Sequence, residues 1–283
     1  MTRGLVRSVL FMPASNPRAI DKARTLPCDV AVLDLEDAVA PEMKAEARAA
    51  AVEAARGGGF GPRLAVRVNA LDTPWGSDDL DALAGSSVGI IVAPKVEEAR
   101  EVAELGARLP AGTALWAMIE TPRALFNLET LCGVNGALEA LMFGTNDLSE
   151  SLGCQSVPDR EPLKPWLAAT VAAARVHRLA VIDGVFNRVD DADGFADQCA
   201  QGRLYGFDGK SLIHPGQIAT ANATFSPNDD EVAHALAVVA AFADPAAAGR
   251  GAIRVGGSMV ERLHLTAAEA LLRRHDACSR TPD

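Results

Sequence analysis

The chain lacks the means for several classes of protein. Its cysteines, Cys28, Cys132, Cys154, Cys199 and Cys278, are odd in number and far apart. No CxxC pair and no Cys/His cluster occurs, which argues against a zinc site and a disulfide framework. Each is expected as a free thiol, mostly buried, in a reducing compartment. Positive charge is also short: 27 Lys and Arg face 37 Asp and Glu, a net charge of −10. That balance argues against binding nucleic acid or an anionic membrane surface, while leaving room for a phosphate-bearing small ligand held locally. No apolar run approaches the length of a membrane span, and the opening Met1 to Arg7 lacks the apolar core of a signal peptide. A cytoplasmic location is therefore expected. Internal repeats and long low-complexity tracts are absent too.

What is present is a regular alternation. With 283 residues, 49% of them hydrophobic, the chain can bury one large core or two smaller ones. Short, near-continuous apolar runs fall at about 7–12, 30–35, 64–69, 88–93, 114–119, 138–143, 180–184 and 204–207. Such runs read as parallel strands covered on both faces. Helical patterns lie between them, at Pro41–Arg56, Val96–Arg108 and Leu163–Arg178; the first has proline in its first turn and Gly57-Gly58-Gly59 as a stop. Eight such units predict a (β/α)8 TIM barrel over residues 1–225. The alternative is an open doubly wound sheet, but no Gly-rich fingerprint opens a helix after the first strand. Residues 226–283 form a C-terminal helical extension: a helix over 227–243, a loop over 244–251, a short segment at 252–255 and a helix near 266–275. This tail is too short for a core of its own, so it is expected to pack on the barrel or on a neighbouring subunit.

Charged residues gather where the predicted strands end. Asp34, Glu36 and Asp37 put three carboxylates within four residues; they repel each other and need cations, a metal or hydrogen bonds to hold them. Glu120 and Asp147 each follow an apolar run, Arg67 lies within one, and Lys95, Asp183 and His214 sit near three others. In a barrel these ends face one mouth. Two carboxylates completed by water and substrate oxygens suit Mg²⁺, and Glu120 with Asp147 is the pair chosen. Asp147 could instead cap the turn after its strand, and Glu120 could start a helix at Pro122. Arg67 can grip a carboxylate with both arms of its guanidinium, or pair structurally with Glu36 or Asp37; one side chain can do both. Lys95 reads as an ion-pair partner of mouth acids, and His214, before Pro215, as a turn residue. Arg18 and Lys22, four apart near Phe11, would suit a nucleotide's phosphates or merely form a solvated basic face.

Six segments in order carry a resemblance: RSVLFMPASNPRAIDKA (7–23), LDLEDAVAP (33–41), VRVN (66–69), IET (119–121), FGTNDL (143–148) and GFDGKSLIHPGQI (206–218). Together they resemble the HpcH/HpaI aldolase and citrate lyase β-subunit superfamily, nearest to the malyl-CoA and citramalyl-CoA lyases. The resemblance implies a Mg²⁺-dependent barrel (Mn²⁺ being the other candidate ion) that forms trimers or hexamers. Its substrate would be a coenzyme A thioester cleaved to an acyl-CoA and an α-keto acid. By the same resemblance, Glu120 and Asp147 hold the metal, Arg67 grips the keto acid carboxylate, and Glu36 and Asp37 hold metal-bound water and position Arg67. Phe11, Arg18 and Lys22 fall where the family contacts coenzyme A. One position departs. In the family's tail an aspartate reaches a neighbouring subunit's site as the catalytic acid; here Glu261 stands in its place, one methylene longer. That exchange leaves open thioester hydrolysis, as in a (3S)-malyl-CoA thioesterase, and an aldolase acting on free pyruvate is a nearer variant.

Overall fold

Eight strands carry the architecture: β1 (Ser8–Pro13), β2 (Val30–Asp34), β3 (Arg63–Arg67), β4 (Ile90–Ala93), β5 (Ala114–Ile119), β6 (Leu138–Phe143), β7 (Ala180–Asp183) and β8 (Gly209–Leu212). Each pairs in parallel with its neighbour in sequence, and β8 returns to β1 to close the barrel. The coordinates are a computed structural model, which describes residues 5–110, 112–134, 136–244 and 249–279. Alternate side chains explain why the strands are apolar throughout. Val30 and Val32 of β2, Ile90 and Val92 of β4, and Trp116 and Met118 of β5 pack into the barrel interior. Ala31, Leu33, Ile91 and Leu115 alternate with them and are equally buried, because helices cover the outer face.

The helices follow in chain order: α1 (Pro17–Ala23), α2 (Lys44–Gly57), α3 (Gly76–Leu83), α4 (Ala99–Arg108), α5 (Pro122–Phe126), α6 (Leu128–Cys132), α7 (Thr145–Leu152), α8 (Lys164–Val176), α9 (Ala192–Tyr205) and α10 (Ile218–Phe225). At some of their starts a short polar side chain satisfies a free backbone N–H group. Asn16 accepts from Ala19 at α1, and Thr121 accepts from Ala124 at α5. Cys28, Cys132 and Cys199 are buried free thiols; burial pushes each up to about 12. No helix among the described residues is long and apolar enough to cross a membrane.

The eighth strand is not the apolar run at 204–207. Leu204 and Tyr205 end α9, Gly206 caps it in the left-handed conformation (φ 97°), and Leu204 is 84% exposed. The true strand, Gly-Lys-Ser-Leu, is half polar, so hydrophobicity does not reveal it. Its Lys210 is fully buried and binds Asp183.

Two compact units result: the barrel, Val6–Ala223, and a second unit from Thr224 onward that also takes in Leu5. The second holds α11 (Asp229–Ala243), a hairpin of β9 (Ala252–Val255) and β10 (Ser258–Glu261), and α12 (Arg262–Ser279). Contrary to expectation, this tail has a small core: Ala235, Val238, Val260 and Ala268, with Phe242, Ile253, Val255 and Leu271 against them. The unforeseen hairpin makes the difference. Gly256 and Gly257, at φ 57° and 86°, turn between Val255 and Ser258, so that alternate strand residues face the helices. Of the expected 244–251 loop, positions 245–248 lie outside the described residues.

Candidate active site

The carboxyl ends of the strands meet at one mouth, and strand register decides who touches whom. Asp34 ends β2 and Arg67 ends β3, directly opposite in the pairing. Their side chains lock with two parallel bonds, Arg67 Nε to Asp34 Oδ1 at 2.7 Å and Nη2 to Oδ2 at 2.5 Å. This is the strong, planar form of the arginine–carboxylate pair. Arg67 Nη1 reaches Glu36 Oε2 at 2.9 Å, while Asp37 is 3.9 Å away and more exposed. Arg67 also lies over the Phe11 ring, 5.3 Å from its centre. Burial opposes the Arg67 charge, but Asp34 and Glu36 outweigh it and raise its pKa.

Sequence reasoning passed over Asp34 in favour of Glu36 and Asp37. Asp34 is the main anchor of Arg67, and it also accepts the backbone N–H groups of Glu36 and Ala38, which shapes the loop that carries the other two acids. The signal was the two-residue period of the strand, which gives Asp34 and Glu36 one parity.

Glu120 follows β5 and is 2% exposed. Thr121, not Glu120, caps α5. The Lys95 backbone N–H donates to Glu120 Oε1 at 2.7 Å, from a residue held at φ 51°. A left-handed lysine is a strained choice, of the kind that gathers at functional sites. Behind Glu120 stands Gly144, the residue before α7; a Cβ there would lie 2.3 Å from Glu120 Cβ and 2.5 Å from Oε2. Asp147 is the third residue of α7 and makes no cap, since Gly144 is the N-cap without a side-chain bond. Lys95 Nζ bridges the acids, 2.9 Å from Glu36 Oε1 and 3.6 Å from Asp147 Oδ2.

The acids outnumber their cations here. Burial, then the charges of Glu36 and Asp147, push the Glu120 carboxyl up to about 8. Burial also raises Glu36, although Arg67 and Lys95 work against it. A buried carboxylate with like charges on either side would suit a divalent cation. No group of three or more His, Cys, Asp or Glu side chains is arranged to hold a metal among the described residues. Glu120 and Asp147, which line both cavities at the mouth, could hold a metal if water and substrate oxygens filled its other positions, as Mg²⁺ accepts.

A cavity of about 370 Å³ opens beside these groups, lined by Phe11, Arg67, Met118, Glu120, Asp147 and Asn187 among others. A polar cavity adjoins it and shares Asp37, Glu120 and Asp147. Several candidates stand apart. Arg18 and Lys22 are exposed on α1 and line neither cavity. Asp183, expected at the mouth, is instead fully buried, bound to Lys210 at 2.8 Å and Arg160 at 2.6 Å. Burial opposes its charge, but those two cations prevail and hold its carboxyl below the ordinary value. His214 is a turn residue whose Nδ1 accepts from Gly216 N–H. Glu261 ends β10 in the second unit, exposed, its backbone N–H donating to His264 Nδ1 at 2.8 Å.

The chain is thus a closed parallel barrel with carboxylates and one clamped arginine gathered at its mouth. Residues 7–215 match the family model described as HpcH/HpaI aldolase/citrate lyase, and the chain belongs to that family. A (3S)-malyl-CoA thioesterase of Cereibacter sphaeroides is 40% identical over 272 residues, spanning 96% of this chain and 95% of that protein. An L-malyl-CoA/beta-methylmalyl-CoA lyase of the same species is 33% identical over 303 residues, with the same two shares. The crystal structure of protein CitE from Mycobacterium tuberculosis in complex with magnesium, acetoacetate and coenzyme A superposes with a TM-score of 0.81 at 31% identity, covering 97% of this chain and 99% of that one.

Proposed function

We propose that this chain is a Mg²⁺-dependent acyl-CoA lyase that cleaves or forms a 3-hydroxyacyl-CoA of the malyl-CoA type, giving an acyl-CoA and an α-keto acid. The observation that carries this reading is the pairing of an under-neutralised buried carboxylate, Glu120, with a forked arginine in one cavity. The first calls for a cation, and the second, its fork already closed on Asp34, adds a fixed positive charge beside it for a substrate carboxylate; an α-keto acid offers a handle to each. When bound, Mg²⁺ supplies a Lewis acid that polarises the carbonyl and offsets developing oxyanion charge. Arg67 grips the substrate carboxylate, held to its task by Asp34 and Glu36. In the cleavage direction the 3-hydroxyl proton passes to a carboxylate of the Glu36–Asp37 pair. The carbon–carbon bond breaks, its electrons enter the thioester as an enolate, and an acid protonates the enolate carbon. We assign that acid to Glu261 of a neighbouring chain in a trimer or hexamer, and coenzyme A contacts to Phe11, Arg18 and Lys22.

Thioester hydrolysis is the second reading, favoured by Glu261 in place of aspartate and by the 40% identity to thioesterases. It would consume water and release a hydroxy acid and free thiol. Incubation with Mg²⁺ and malyl-, methylmalyl- and citramalyl-CoA, with products read by mass, separates the two. Keto acid plus acyl-CoA supports the lyase, and hydroxy acid plus free coenzyme A replaces it with the thioesterase. No turnover of any of them refutes both.

A further inference from the structure

A buried polar chain runs behind the β2 loop, and its Lys44, Asn69 and Asp79 line neither cavity at the mouth. Lys44, the first residue of α2, is 6% exposed. Its Nζ donates to the carbonyl oxygens of Leu35 (2.7 Å) and Glu36 (2.8 Å) and to Asn69 Oδ1 (2.7 Å). An ammonium has three donors, and all three are engaged. Asn69 is buried in turn. Its Nδ2 donates to Leu35 O at 3.0 Å and to Asp79 Oδ2 at 2.6 Å. Asp79 also accepts the Asn69 backbone N–H at 2.9 Å, and its other oxygen pairs with Arg48 Nε at 2.6 Å.

Stability alone is a poor reason for this arrangement. Burying an ammonium is costly, and well-packed apolar residues commonly do as well or better in such places. What the ammonium does that a methyl group cannot is fix two successive carbonyls. Those carbonyls belong to Leu35 and Glu36, whose positions set where the Glu36 side chain starts. From there Glu36 spans Arg67 and Lys95.

We propose that Lys44 is a positioning residue: backed by Asn69 and Asp79, it clamps the Leu35 and Glu36 carbonyls so that Glu36 holds Arg67 and Lys95 in register for the substrate's carboxylate end. The role in turnover rests on the proposed function; the clamp itself does not. Lys44→Met keeps the length and removes the three bonds. With the fold checked by circular dichroism, kcat/KM falls about 10- to 100-fold, the range for lost supporting bonds. Amide exchange quickens at Glu36, Ala38 and Val39, whose N–H groups are bonded within this loop, while β6 and α8 keep their protection. In a Glu36→Gln background the same substitution changes kcat/KM by less than about 2-fold, because coupled residues are not additive. An equal loss in both backgrounds, or unchanged exchange at 36–39, overturns the proposal. Should Lys44→Met fail to fold, Asp79→Asn keeps the shape, withdraws the charge behind Asn69, and is carried through the same measurements. If the wild-type chain turns over no coenzyme A thioester, the proposed function falls, and the exchange comparison still decides the clamp.

Discussion

Replacing Gly144 by alanine puts one methyl group against the residue on which the metal reading depends. The new Cβ would stand 2.3 Å from Glu120 Cβ and 2.5 Å from Oε2, where carbon–carbon contacts prefer about 3.5–4.0 Å. Glu120 must therefore retreat by about 1 Å. Its escape is limited, because Oε1 is tied to the Lys95 N–H and the side chain is buried. Overpacking of this kind costs about 1–3 kcal/mol. At about 2–4 °C per kcal/mol for a chain of this size, Tm falls by roughly 2–12 °C. Misplacement by about 1 Å costs on the order of 10²-fold in rate, so kcat/KM drops far more than the lost stability alone implies. The assay pairs steady-state kinetics across Mg²⁺ concentrations with thermal melts with and without Mg²⁺. Gly57→Ala is the control, since nothing lies within 4 Å of a Cβ there. If Gly144→Ala keeps wild-type kcat/KM and wild-type Mg²⁺ dependence, Glu120 is not the metal-holding group.

Arg67→Lys keeps the charge but loses the fork that meets Asp34, and kcat/KM is expected to fall on the order of 10²-fold; wild-type kinetics would make the arginine structural only. Asp183→Asn leaves Lys210 and Arg160 buried without their counter-charge, and chemical denaturation should read a loss of about 3–5 kcal/mol. Because the folded-state pKa of Asp183 lies below its ordinary 3.8, the wild type's advantage is present above pH 3.8 and shrinks as pH falls through the lower folded value; a gap that widens in acid contradicts the pairing. Inactive Glu261→Gln and Asp147→Asn chains, mixed and reassembled, should regain activity if the tail acid serves a neighbouring mouth. No recovery would place both defects in one chain's site.

Much of the architecture is written locally. A strand covered on both faces must be apolar along its length, so β2 and β5 stand out from the sequence, and the acids that end them stand out with them. The acidic mouth and its arginine are legible for the same reason, since charge directly after an apolar run is costly unless something pairs it. The polar strand β8 escapes notice because its lysine is satisfied by Asp183, a partner 27 residues away that no local pattern reveals. The β9–β10 hairpin had a local signal in Gly256-Gly257, but its worth depended on what α11 and α12 left uncovered. Only the tertiary structure joins Asp34 to Arg67, sets Gly144 against Glu120 and runs Lys44 beneath Glu36. Each of these pairings depends on the stagger of neighbouring strands and the close packing of loops, and spacing along a chain carries no information about either until the barrel closes.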